Sequence, residues 1–145
     1  IMIRNYRPPE NIMNDYFDEK ADIWCIGCIL FELLTGEYLY ELDVDTKNKE
    51  EGYRDRIHLK QMFEVLGKMP LKLILKCDFN EDLFDKQGNI IGFKELNYRN
   101  LNIILQEDFG FDCEESNNIS CFLEKLLELD IEKRLTCEEA YNYLW

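Results

Sequence analysis

The chain has 145 residues, 46% of them apolar, which is enough for one buried core and is most economically a single domain. With 30 acidic against 17 basic residues the formal charge is −13, and this argues against nucleic acid, whose phosphates would be repelled. The same charge attracts basic peptides, or serves solubility alone.

The segment 1–19 holds Pro8-Pro9 and few periodic apolar positions, so it reads as irregular, with a short turn or helix near Asn11 to Asp15. Lys20 to Leu34 is helical and apolar on nearly every side, the pattern of a core helix surrounded by others, and Gly36 stops it. Glu41 to Gly52 is polar and charged and reads as a surface loop. Arg54 to Leu66 carries Leu59, Met62, Phe63 and Leu66 at helical spacing, ended by Gly67 and Pro70. Residues 71–100 are the least regular third, with a turn expected at Lys86-Gln87-Gly88-Asn89.

Asn100 to Gln106 is predicted as a short helix. An acidic stretch from Glu107 to Glu115 separates it from a helix over Asn118 to Leu129, whose buried face is Ile119, Phe122, Leu123, Leu126 and Leu127. The last helix begins at Thr136, which forms a capping box with Glu139. No strand is predicted, so the fold class is mainly α.

No stretch reaches the roughly 20 apolar residues needed to cross a bilayer. The 6 cysteines follow no secretory segment, so reduced, mostly buried thiols in the cytoplasm and nucleus are expected. Cys25-x-x-Cys28 lacks a second ligand pair and His58 is the sole histidine, so no metal site is expected. The chain opens on Ile1 rather than methionine and reads as a fragment.

Three motifs carry the functional reading: Tyr6-Arg7-Pro8-Pro9-Glu10, Asp22-Ile23-Trp24-Cys25-Ile26-Gly27 and Asp130-Ile131-Glu132-Lys133-Arg134. A carboxylate such as Glu10, fixed beside prolines, needs a cation if buried, and a planar guanidinium fits it through two hydrogen bonds. Asp22, at a helix start, is favoured there by the helix dipole.

In this order the motifs resemble the lower half of the large lobe of a protein kinase. The resemblance implies a kinase-like large-lobe fragment over residues 1–145: a central buried helix, an inserted irregular segment and further helices. It implies that Glu10 pairs with Arg134 as a structural clasp. It also implies that Asp22 holds a catalytic loop not contained in these residues, which leaves Asp22 facing solvent.

Ile3-Arg4-Asn5-Tyr6-Arg7 is similar to the T-R-x-Y-R segment of the group containing mitogen-activated, cyclin-dependent and SR-protein kinases. There it forms the floor under the substrate residue after the phosphorylated one, which makes Arg4 and Arg7 substrate-binding candidates. Ile3 departs from the family threonine, whose hydroxyl bonds the catalytic aspartate and lysine; isoleucine cannot. That departure keeps open an impaired, kinase-like scaffold for basic peptides.

Leu34 to Glu41, Val65 to Pro70 and Leu127 to Arg134 resemble the SR-protein kinases, so the likeness runs end to end. That branch phosphorylates serines in Arg-Ser repeats and guides basic Arg/Ser-rich proteins through an acidic groove. Glu37 and Glu64 match groove positions, or are solvated surface charges; a third groove position falls on Ile57. A separate acidic helical docking module without a kinase parent is the remaining reading.

A kinase also needs a Gly-rich loop, a phosphate-pairing lysine, a catalytic aspartate and a magnesium-binding aspartate. Neither G-x-G-x-x-G nor H-R-D occurs, and Asp108-Phe109-Gly110 lies downstream of Glu10, whereas the family's D-F-G precedes it. No catalytic, cofactor-binding or metal residue is therefore assigned. ATP and Mg²⁺ are expected in the parent kinase, completed by its N-terminal part, with no direct nucleic acid and no membrane as partner.

Overall fold

A computed structural model describes residues 3–13, 16, 18–42, 52–78 and 80–143. The chain enters through a 3-10 turn at Arg4–Tyr6 and the one-turn helix α1, Pro9–Ile12, begun by a proline whose missing N–H costs nothing there. Helix α2, Lys20–Thr35, follows. Its core side is Ile23, Trp24, Cys28 and Phe31. Gly36 ends it in the left-handed conformation (φ 79°), its N–H reaching the Glu32 carbonyl at 2.8 Å.

The opposite side of α2 is not covered as its all-round apolar pattern predicts. Ile26, Ile29 and Leu33 stand 44%, 41% and 76% exposed. The Arg4–Tyr6 turn and the helix Cys113–Leu126 (α7) pack on α2.

Of the predicted loop over 41–52, residues 43–51 fall outside the described ones. Helix α3, Tyr53–Leu66, turns His58, Leu59, Met62 and Phe63 inward. The irregular third contains two one-turn helices, α4 (Leu71–Ile74) and α5 (Asn80–Leu83), and an antiparallel bridge between Phe84 and Ile90. The expected turn closes that bridge: the Asp85 carboxylate accepts the N–H groups of Gln87 (2.9 Å) and Asn89 (2.8 Å), and these bonds hold its pKa below the ordinary value. Among the described residues no strand forms.

Helix α6 is Leu101–Glu107, capped by the Asn100 side chain. Helix α7 is Cys113–Leu126, not Asn118 to Leu129. Asp112 caps its start by accepting from the N–H groups of Glu114 and Glu115, so the stretch expected to be an acidic spacer supplies the first turn. The inward positions of the first half of α7 are Ser116 and Ser120, whose burial is tolerated because their hydroxyls donate to carbonyls three residues back. Helix α8, Cys137–Tyr141, carries the Thr136–Glu139 capping box.

Gly27 sets the approach of α2 to the end of α7. A Cβ at that position would lie 2.8 Å from Leu127 Cδ2 and 3.2 Å from Leu126 Cβ. The cysteines divide evenly rather than being mostly buried: Cys28 and Cys77 are buried and Cys25 is half-buried, while Cys113, Cys121 and Cys137 are exposed. The exposed three sit on the outer faces of α7 and α8, which pack through other residues. No helix among the described residues is long and apolar enough to cross a membrane.

Candidate functional site

The Arg4–Glu10 segment is held by contacts from α2, α3, the Tyr40 segment and the turn that carries Arg134. At its far end the Glu10 carboxylate is buried against Arg134: Nη1 donates to Oε1 at 2.7 Å and Nη2 to Oε2 at 2.9 Å. Arg134 also donates from Nε to the Glu128 carbonyl (2.9 Å) and from Nη1 to the Lys20 carbonyl (3.0 Å), with its guanidinium 5.1 Å from the Trp24 ring. Such saturation is what a buried ion pair requires, because each charge loses its water.

The turn that presents Arg134 is built by Asp130. Its carbonyl accepts the Arg134 N–H at 3.0 Å, its carboxylate accepts the Glu132 N–H at 3.2 Å, and Lys20 Nζ donates to the Ile131 carbonyl at 3.1 Å. The spacing of D-x-x-x-R is thus one hydrogen-bonded turn, fastened to the start of α2.

Nearer the start, Arg4 Nη1 pairs with Asp55 of α3 at 2.6 Å, both side chains partly exposed. Asn5 Nδ2 donates to the Tyr40 carbonyl at 3.0 Å. The Tyr6 hydroxyl donates to the Glu32 carboxylate, and that bond, then burial and the glutamate charge, raise its pKa to about 12. Arg7 is half-buried, and its Nε lacks a hydrogen-bond partner among the described residues.

Behind this segment lies a group for which the sequence offered no role. His58 is fully buried, its ring 5.2 Å from that of Tyr40, and neither ring nitrogen has a hydrogen-bond partner among the described residues. Burial, and then the charges of Arg4 and Arg7, push its pKa down to about 3. Burial likewise raises the pKa of Tyr40. The signal available in the sequence was a lone histidine on the inner face of a helix, which is more often packing than chemistry.

Asp22 lies exposed in the first turn of α2. Glu37 is exposed just past Gly36, its N–H bonded to the Thr35 hydroxyl at 3.2 Å. Glu64 is more committed: its carboxylate accepts from Lys60 Nζ (2.6 Å) and from the N–H of Asn97 (2.9 Å). Ile57 is buried. The structure brings Glu10 to Arg134 and Arg4 to Asp55; Glu37 and Glu64 stand on separate elements and share no hydrogen bond.

Asp108-Phe109-Gly110 is occupied structurally. Arg99 donates to both oxygens of Asp108, at 3.0 and 2.8 Å, which lowers the aspartate pKa, and Phe109 packs edge-on against Phe31 at 5.7 Å.

The sequence matches the protein kinase domain over residues 1–145. The chain belongs to the protein kinase family. Serine/threonine-protein kinase SKY1 of Saccharomyces cerevisiae is 32% identical to this kinase chain over 148 residues, covering 100% of it and 19% of that protein. Protein kinase dsk1 of Schizosaccharomyces pombe is 32% identical over 145 residues, covering 100% of the chain and 26% of that protein. SRSF protein kinase 3 of Homo sapiens is 29% identical over 145 residues, covering 100% and 25%. The chain thus spans about a fifth to a quarter of the length of these relatives. The Glu10–Arg134 pair joins positions 124 residues apart through two hydrogen bonds.

Proposed function

We propose that this chain is the substrate-side part of a serine/threonine kinase that transfers the ATP γ-phosphate to serines of basic Arg/Ser-rich proteins, acting in the cytoplasm and nucleus. The observation that carries this reading is the Arg4–Glu10 segment, fastened at one end by Arg134 and presented beside α3, in a chain whose relatives include SRSF protein kinase 3. Arg4 and Arg7 form the floor beneath the substrate. Glu37 and Glu64 offer carboxylates to its arginines, Glu37 freely and Glu64 in exchange for Lys60.

These residues do not suit ATP and Mg²⁺. Among the described residues no three His, Cys, Asp or Glu side chains are grouped as a metal would need, and the sequence has no Gly-rich loop. No step of phosphoryl transfer is assigned to them; the nucleotide and its metal belong to the N-terminal part of the kinase. The exposed apolar side of α2, Ile26, Ile29 and Leu33, supports that division, since a core helix is stable when covered.

Ile3 favours a second reading, a kinase-like scaffold that binds basic peptides without phosphorylating them. Incubating the full-length protein with ATP, Mg²⁺ and an Arg/Ser-repeat peptide separates the two. Phosphoserine detected by mass spectrometry supports the enzyme. Peptide binding without phosphoserine, with turnover appearing in Ile3→Thr, supports the scaffold.

A further inference from the structure

The proposed floor, Arg4 and Arg7, lies beneath a substrate that is itself basic. Like charges facing one another across an interface cost affinity, so a floor of two bare guanidinium groups would repel the protein it has to accept. The two arginines are held differently. Arg4 Nη1 meets Asp55 Oδ1 at 2.6 Å, whereas Arg7 is half-buried and its Nε has no hydrogen-bond partner among the described residues.

The side of α3 that meets this segment is arranged consistently with that pairing. Asp55 and His58 stand three positions apart, on one face of the helix. The imidazole stays uncharged beneath the arginines, because burial and then the charges of Arg4 and Arg7 oppose its protonation. Arg56, between them, is buried and turns away to the Asp82 carbonyl, Nη1 donating at 3.4 Å.

The Arg4–Asp55 pair contributes little to the fold. Its side chains are 35% and 29% exposed, so water screens both charges, unlike those of the buried Glu10–Arg134 pair. Asp55 also occupies the first turn of α3, where the helix dipole favours a carboxylate. The dipole accounts for an acid at that position but not for its hold on Arg4, 51 residues away in the chain.

We propose that Asp55 is a specificity-determining residue, which neutralises Arg4 and so lets an arginine-rich segment cross the floor without repulsion. Asp55 acts through Arg4 and makes no contact with substrate. The proposal rests on the reading of the chain as the substrate-side part of a kinase for basic proteins, and it names what makes a floor with two arginines compatible with them.

The test is fluorescence anisotropy of a labelled Arg/Ser-repeat peptide, and of its counterpart with glutamine at every arginine, against the full-length protein at low and high salt. Wild type should prefer the arginine peptide. Asp55→Asn keeps the shape of the side chain and removes its charge; it should weaken the arginine peptide about tenfold at low salt and leave the glutamine peptide unchanged, with the effect shrinking as salt rises. Adding Arg4→Gln to Asp55→Asn should recover most of the lost affinity, which a packing role for Asp55 would not produce. The urea midpoint of Asp55→Asn should stay close to that of wild type. Equal weakening of both peptides, no weakening of either, or no recovery with Arg4→Gln would overturn the role of Asp55, while the wild-type preference would leave the reading of a kinase for basic proteins standing. No preference in wild type would overturn that reading and the role of Asp55 with it.

Discussion

The guanidinium of Arg134 meets the carboxylate of Glu10 through two parallel hydrogen bonds, and both side chains are almost wholly shielded from water, 1% and 3% exposed. Among the described residues neither charge has another ionic partner, so each depends on the other. Replacing either one alone, as in Arg134→Met or Glu10→Leu, should destabilise the chain by about 3–5 kcal/mol, because the survivor is left buried and unpaired. The double variant should be less destabilised than the sum of the singles. Urea denaturation of the four proteins, read as a double-mutant cycle, checks this; additive effects would mean that the pair is not coupled.

Gly27 gives a second prediction. A larger side chain there drives into Leu127 and Leu126, both fully buried. Gly27→Val should cost about 2–3 kcal/mol through overpacking at the α2–α7 contact, whereas the same change at an exposed helix position would cost little. A shift in the urea midpoint measures it, and an unchanged midpoint would show that α7 moves aside freely.

Much of this architecture was legible in the sequence, and the failures have identifiable causes. Helices α2 and α3 follow from apolar spacing, and the capping box at Thr136 is local chemistry that needs no tertiary partner. The start of α7 was misplaced because Ser116 and Ser120 occupy inward positions that an apolar pattern does not register. The Asp112 cap was hidden within a run of acidic residues. The Glu10–Arg134 pair could be anticipated only through the family resemblance, since nothing local joins positions 124 residues apart. Arg4–Asp55 and the burial of His58 were not anticipated, because both arise from how α3 lies against the first segment.

His58 makes stability depend on pH in a defined window. Its folded pKa of about 3 lies below the ordinary histidine value near 6.5, so the unfolded chain binds more protons between those values. This contribution is fully present above the unfolded pKa and is lost as pH falls towards the folded one. The upper value of the loss is roughly 5 kcal/mol. His58→Phe should flatten the pH dependence of the urea midpoint between about pH 6.5 and pH 3 relative to wild type; an identical slope in the two proteins would contradict the buried neutral ring.

The Asp108-Phe109-Gly110 sequence is predicted to be catalytically silent. Its aspartate is engaged by Arg99 at the end of α6. Asp108→Asn in the full-length protein should leave phosphoryl transfer unchanged. A large loss of kcat with unaltered folding would assign the triplet the role its spelling suggests.

We propose that this chain belongs to a kinase that selects basic Arg/Ser-rich proteins. The most direct test is kcat/KM of the full-length protein for an Arg/Ser-repeat peptide, compared with the same peptide carrying glutamine at every arginine. Serine phosphorylation is expected, with a strong preference for the arginine peptide that narrows as salt rises. Equal kcat/KM for the two peptides would contradict it.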